Sequence, residues 1–337
     1  MRWFKGRHAR PAITVLTNCV PEPPRTPGAF VRQLISGKSG QTPPPPSDSE
    51  YCGHPAVTRS LVEGLRRLGV PATYNPQDPR DIAPVVVVLC NVDALRQAIA
   101  WRREGRITRL MAGPNLVVLP HEADGILLSP EIDYCLVPSE WVGIAYQQEA
   151  PSLRDRIRVW AAGVDAEWWA PGKRCRGNRA LVYWKSEPQE FFDRVVQVVE
   201  RAGLAADVMR YGTYTREEYR AKLARADVAI FISRSESQGL ALAEAWSMDL
   251  PTLVWDPGEL VYNGRRYDPV SSCPYMTDAT GLRWKSFDEL EHLLTRKVWA
   301  ELRFAPRVWV LENMTDELCA QHLLRLGGAP WAAVRGR

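Results

Sequence analysis

Glu236 and Glu244 stand eight positions apart, across the turn Ser237-Gln238-Gly239 and the start of a helical pattern at Leu240. Carboxylates accept hydrogen bonds from the vicinal hydroxyls of sugars and ribose. A helix start adds free N–H groups and the positive end of a dipole, which together suit a phosphate. Glu236, in the turn, faces whatever fills the crevice, while Glu244 lies about one and a half turns into the helix at ~3.6 residues per turn. The two carboxylates can therefore hold two parts of one elongated ligand. Gly239, Ala241, Ala243 and Ala245 leave room for close backbone approach. The plainer alternative has Glu236 capping the helix and Glu244 in solvent; the turn position, the small residues and the flanking strands favour a ligand. Lys185, at the end of another apolar run, is placed to supply positive charge to a departing diphosphate, although strand-end lysines are often plain surface residues.

The elements around these residues follow from hydrophobic period. Residues 227–233 and 251–255 read as strands on either side of the Leu240 helix, a βαβ unit. Ligands of such units lie outside the carboxyl ends of the strands. Further strands are expected at residues 12–16, 85–89, 134–137 and 181–184, and within 110–118, where Gly113-Pro114 interrupts. Helices are expected at 55–69 (Val57, Leu61, Leu65 and Leu68 on one side), 94–103 and 189–202 (Phe192, Val195, Val196 and Val199 inward). Thr215 with Glu218 and Ser286 with Glu289 read as capping boxes. Thr315 caps a last helix that presents Leu318, Cys319, His322, Leu323 and Leu326 on one face and stops at Gly327. Alternating strands and helices give doubly wound α/β domains. A chain of 337 residues divides into two of them, with the boundary between about residues 150 and 171.

Composition narrows the class further. A net charge of +4 gives no support to nucleic-acid binding. The seven cysteines are odd in number and contain no C-x-x-C, so neither a disulfide framework nor a zinc site is indicated, and a reducing cytoplasm is the expected compartment. With no Asp-x-Asp and no paired histidines at ligand spacing, no metal is expected. No apolar run approaches the ~20 residues that span a bilayer. Arg2, Lys5, Arg7 and Arg10, with Trp3 and Phe4, suit peripheral contact with an anionic membrane, the plainer reading being a solvated terminus. Residues 21–49 form a long Pro-, Gly- and Ser-rich loop.

The stretch Ser235-Glu236-Ser237-Gln238-Gly239-Leu240-Ala241-Leu242-Ala243-Glu244-Ala245-Trp246 resembles the glutamate-x(7)-glutamate motif of glycosyltransferase family 4, whose members have the GT-B fold. Asp249 stands where that family commonly has glycine. Ala162-Gly163-Val164-Asp165, followed by Trp169-Ala170-Pro171, is similar to the segment that opens the family's second domain. Asp133-Tyr134-Cys135-Leu136-Val137-Pro138-Ser139-Glu140 is similar to the strand that closes its first. Three matches in order make the combination specific.

The resemblance implies two Rossmann-like domains facing across a cleft: an acceptor-side domain (1–160), a nucleotide-sugar domain (161–312) and a terminal segment (313–337) whose helix crosses back. It implies retaining, metal-independent transfer from a UDP- or GDP-sugar to a glycan, lipid-linked or small-molecule hydroxyl, commonly in polysaccharide or glycolipid synthesis. Glu236 would hold sugar hydroxyls, Glu244 the ribose, and Lys185 with the N–H groups near Gly239 and Leu240 the diphosphate. Ser237, Gln238, Arg234 and Gly212 complete the donor contacts. The family carries a second cation where Phe191 and Phe192 stand here; Arg210 and Arg234 are candidate substitutes. A donor-contacting histidine is expected near His121, although Asn115 fits the same region. Gly53-His54-Pro55-Ala56 resembles the family's first glycine-rich loop, and Gly212 and Tyr214 border the nucleobase, a plain turn explaining each of these almost as well. Two other classes stay open: an epimerase using His121, Glu122 and Asp124, and a non-catalytic sugar-nucleotide binder.

Overall fold

The computed structural model describes residues 11–21, 53–172 and 177–329. The basic aromatic start, the proline-rich residues 22–52 and Cys175 lie outside them. Strands β1 (Ile13–Leu16), β2 (Ala72–Tyr74), β3 (Val85–Val88), β4 (Arg109–Ala112), β5 (Tyr134–Val137) and β6 (Ile157–Val159) form one parallel sheet in the order β2-β1-β3-β4-β5-β6. A second parallel sheet contains β7 (Arg179–Trp184), β8 (Ala205–Arg210), β9 (Val228–Ile232) and β10 (Thr252–Trp255). The hairpin β11 (Leu260–Tyr262) and β12 (Arg265–Tyr267) follows, and β13 (Gly281–Trp284) completes the order β13-β10-β9-β7-β8. Helices cover both faces of each sheet, as the alternating pattern requires.

The apolar runs explain why both faces are covered. Val85 and Val87 enter one core cluster with Leu61 and Leu65, while Val86 and Val88 enter another with Leu95 and Leu110. Successive strand side chains point to opposite faces, so an all-valine strand needs a helix layer on each. In the second sheet, Leu181 and Tyr183 join Leu242 and Trp246 on one side. Ala180 and Val182 join Val195 and Leu290 on the other.

Both sheets reverse direction after their first strand, β1 going outward to β2 and inward to β3, and β7 outward to β8 and inward to β9. Such a reversal opens a crevice at the carboxyl ends of the two diverging strands, the usual ligand position of these folds. In the second lobe those ends carry Lys185, after β7, and the Glu236 turn, after β9. In the first lobe they lead into the helix Gly53–Arg67 and to Cys90.

The last helix, Asp316–Gly327, belongs to the first lobe's core. Ala320, Leu323 and Leu324 pack with Leu61 and Leu65, and Cys319 O accepts from Trp160 Nε1 at 2.9 Å. Its buried face is Cys319, Ala320, Leu323 and Leu324, with His322 exposed, so the face is rotated from the expected one. The helix runs through Gly327 and ends at Gly328, whose φ of 60° is the left-handed cap. Gly327 serves a different end: a Cβ there would lie 2.9 Å from Met111 Cε. Elsewhere the helix Gln189–Arg201 buries Val198 where Val196 is expected, and Val196 is only partly buried. Thr215 and Glu218 form the full capping box. Ser286 caps Glu289 N, but the Glu289 carboxylate takes the Lys285 N–H instead. Asp249 has φ 58°, a left-handed position that aspartate tolerates better than most residues and glycine better still.

Asp316 is fully buried at the start of the last helix. Burial pushes its carboxyl up to about 6, against the pull of Arg59 and Ser60; Arg59 Nη1 is 3.7 Å away. An aspartate in an unfolded chain titrates near ~3.9. The folded state thus holds this proton more tightly. The stabilisation is complete below pH ~4 and is lost as pH rises through the folded value, a change of about 3 kcal/mol. The melting temperature of Asp316→Asn, relative to wild type, should therefore climb between pH 4.5 and 7.5. A difference that stays flat across that range refutes the assignment.

Candidate functional site

A cavity of about 230 Å³ lies where the two switch points face each other. The first lobe contributes His54, Ala56 and Val57 from the start of its first helix, with Asn115 and Pro138 from strand-end loops. The second lobe contributes Lys185, the turn Glu236 to Gly239, and Leu240 to Leu242 and Glu244 from its helix. Tyr183, Tyr211, Tyr214 and Phe231 supply an aromatic wall.

The turn is held from several sides. Glu236 N donates to Ser271 O at 3.0 Å, and Ser272 Oγ donates to Ser233 O at 2.6 Å. Asp256 in turn accepts from Ser271 Oγ and Ser272 N. Across the lobe boundary, Trp141 Nε1 donates to Glu236 O at 2.9 Å. Gly239, at φ 82°, turns the chain into the helix Leu240–Ser247 as a left-handed N-cap with no side-chain cap. Glu236 is therefore not the cap, and its carboxylate is left for the cavity.

The charges are concentrated. Lys185 Nζ lies 2.7 Å from Glu236 Oε2 and 4.8 Å from the centre of the Tyr211 ring. Lys185 is the one lysine or arginine lining the cavity among the described residues. Glu244 is 4% exposed. Burial, with the charge of Asp316 second, pushes its carboxyl well above the usual range. Glu244 is thus neither solvated nor on the surface. The Tyr183 and Tyr214 hydroxyls bond each other at 2.8 Å, and burial pushes the Tyr214 hydroxyl up to about 12.

Seven of the ten expected site residues meet here: Lys185, Glu236, Ser237, Gln238, Gly239, Leu240 and Glu244. Gln238 lines the wall, but its amide is committed elsewhere: Nε2 donates to Ala162 O at 2.7 Å and Oε1 accepts from Ala162 N at 3.0 Å. This reciprocal pair clamps the turn to the segment joining the lobes. Arg234 is not among the lining residues. Its guanidinium is paired to the buried Glu187 at 2.9 Å, which turns it away. Arg210 lies over the Trp184 ring. Gly212 is also outside, its neighbours Tyr211 and Tyr214 lining the cavity instead. His121 Nε2 donates to Glu149 O at 2.7 Å, outside the cavity, whereas Asn115 lines it. Asp124 pairs with Arg96 at an exposed site, so His121, Glu122 and Asp124 do not converge on this cavity. Phe191 and Phe192 belong to the aromatic core beneath, Phe191 against Trp255 and Trp284 and Phe192 stacked on Trp184.

Of the aromatic wall, sequence reasoning named Tyr214 and missed Tyr183, Tyr211 and Phe231; it also missed Trp141. Tyr183 and Phe231 read only as strand residues, and the period-2 pattern does not say which of them reaches the strand ends.

Two parallel Rossmann-like lobes whose switch points face across a shared cavity define the GT-B fold. No family profile matches the sequence, and no curated protein matches it. Among solved structures, the fold is similar to AviGT4, a glycosyltransferase involved in avilamycin A biosynthesis (13% identity, 94% of this chain and 97% of that one, TM-score 0.50). It is similar to Anabaena Alr3699/HepE, solved with UDP and glucose (11% identity, 93% and 98%, TM-score 0.53). It is also similar to a glycosyltransferase from Rickettsia africae ESF-5 (10% identity, 93% and 97%, TM-score 0.53).

Proposed function

We propose that this chain is a glycosyltransferase that moves a sugar from a nucleotide-sugar donor to a hydroxyl acceptor, with retention of configuration. The reading rests chiefly on one observation: Glu236 and Lys185 meet at the ends of neighbouring strands, beside a helix start, in the cavity between the lobes. In this reading Lys185 and the N–H groups of the helix start hold the diphosphate, Glu236 accepts from the sugar hydroxyls, and the buried Glu244 meets the ribose. A diphosphate draws Lys185 away from Glu236, which frees the carboxylate for the sugar. Transfer breaks the bond between the anomeric carbon and the phosphate oxygen. The acceptor oxygen bonds to that carbon on the same face, and its proton passes to a phosphate oxygen of the departing nucleoside diphosphate. Lys185 neutralises the charge that develops there.

UDP-glucose is the first donor to try, since a fold neighbour is solved with UDP and glucose. The expected result is donor-dependent thermal stabilisation, about 2.7 kcal/mol at a hundredfold excess over Kd. A glycosylated acceptor should form with the donor's anomeric configuration, and EDTA should not reduce its rate. Failure of UDP-, GDP- and ADP-sugars alike to stabilise the chain refutes the reading. One observation favours a second reading, a sugar-nucleotide binder without turnover: Lys185 is the sole lysine or arginine in the cavity among the described residues. Stabilisation by a donor without hydrolysis or transfer selects it. No helix among the described residues is long and apolar enough to cross a membrane.

A further inference from the structure

A second chamber, of about 520 Å³, adjoins the first and shares His54, Asn115, Pro138 and Ser237 with it. This volume lies within the range of small-molecule sites. Its walls come from both lobes: the first supplies Leu116 to Leu119, Trp141, Val142 and Tyr146, and the β11–β12 hairpin supplies Leu260, Tyr262 and Tyr267. The hairpin is fastened over the first lobe, where Tyr267 and Val270 pack with Ala145. Tyr267 Oη also donates to Glu149 Oε1 at 2.9 Å.

The polar atoms of these walls are already engaged. Tyr146 Oη donates to Val117 O at 2.8 Å, and Trp141 Nε1 donates to Glu236 O. Among the described residues, the one lining carboxylate is Glu122. Its Oε2 accepts from Val118 N at 2.8 Å and its Oε1 from Tyr262 Oη at 3.4 Å. The rings thus turn carbon toward the space between them. The side chains of His54, Asn115 and Ser237 have no hydrogen-bond partner among the described residues, and all three sit at the junction with the donor cavity. An occupant therefore meets a wall that is apolar apart from the Glu122 carboxylate, and finds unbonded polar side chains at the end it shares with the donor cavity.

We infer that the acceptor is a compact apolar alcohol or phenol, its body in this chamber and its hydroxyl at the junction beside Ser237. The inference rests on the transferase reading and names that site's second substrate. A hydroxyl-rich saccharide fits poorly, because each hydroxyl stranded against these walls loses its water partner at a cost of about 1–3 kcal/mol. An anionic acceptor meets the Glu122 charge. The reaction balances as apolar alcohol plus nucleotide-sugar giving apolar glycoside plus nucleoside diphosphate, the hydroxyl proton leaving on the phosphate.

The test uses the full chain and two measurements. In the first, 2-naphthol is titrated by fluorescence in the presence of whichever of UDP, GDP or ADP stabilises the protein. Saturable binding is expected. Val118→Asp and Leu260→Asp should weaken it roughly tenfold, since each sets a charge against an apolar wall. Both positions are at least partly exposed and lie outside the donor cavity, so the fold and the nucleotide-induced thermal shift should persist. In the second, radiolabelled donor is offered to 2-naphthol, methyl glucoside, maltose and a long-chain prenol. A labelled naphthyl glycoside is the expected product. Label in the saccharides alone, or in the prenol alone, overturns the inference and leaves the transferase reading intact. Lack of 2-naphthol binding to nucleotide-loaded protein overturns it as well. Binding of 2-naphthol that the two substitutions weaken, in a chain that no nucleotide-sugar stabilises, would instead sink the transferase reading while the apolar chamber stands.

Discussion

Glu236→Ala and Lys185→Ala should each fold and melt like wild type, yet transfer sugar roughly 10²–10³-fold more slowly. The expectation of a normal fold comes from the pair's setting. Its side chains are 15% and 29% exposed, and the bond between them spans a cavity rather than a core. The pair is thus partly buried but opens onto the cavity, where water can solvate the group left when its partner is truncated. The turn's conformation depends instead on backbone bonds to Ser271 and Trp141 and on the Gln238 clamp, all of which survive truncation of the Glu236 side chain. The catalytic loss follows from where charge appears. A departing diphosphate gains negative charge in the transition state, and one preorganised donor or cation at such a point is worth about 2.7–4 kcal/mol. Lys185→Ala should therefore lower kcat and kcat/KM together. The double substitution should lose far less than the sum of the two, because the residues act on one ligand. Wild-type transfer by either purified variant would remove the assigned site.

Gly64→Ala should unfold the chain's C-terminal closure, although the same substitution stabilises most helices. Gly64 lies inside the helix Gly53–Arg67, where alanine normally gains about 1 kcal/mol over glycine. Here an added Cβ falls 2.2 Å from Asp316 O and 2.7 Å from its carbonyl carbon. Those are backbone atoms at the start of the last helix, which cannot rotate aside as a side chain would. Gly163 approaches the same place from the joining segment, its Cβ position 2.5 Å from Asp316 N and Cα. Three segments thus converge on one backbone, and the last helix must lift for the alanine to fit. Overpacking of this kind costs roughly 1–3 kcal/mol and more where the backbone blocks relaxation. The measurement is urea unfolding of Gly64→Ala beside an exposed helix control, Gln197→Ala in the helix Gln189–Arg201. An unchanged or raised midpoint for Gly64→Ala contradicts the packing described.

Much of this was legible in the chain because local pattern carries it. The four consecutive valines of β3 required cover on both faces, and the run ahead of Glu236 required a strand, whose end opens onto the cavity. Thr215 and Thr315 marked their helix starts because a hydroxyl there satisfies an N–H that the helix cannot. Those signals depend on neighbours a few positions apart, which sequence displays directly. Arg234 and His121 lie outside the cavity lining for the opposite reason. A side chain's direction depends on what competes for it, and Glu187 and the Glu149 carbonyl, each tens of positions away, hold these two. Asn115 and His54 reach the cavity because two strand orders reverse at facing points, which no local window contains. The residues of the chain therefore determined which segments are strands and helices and where the cavity-lining helix begins. Tertiary structure alone decided which charges meet in the cleft and which walls are apolar, because long-range packing sets both.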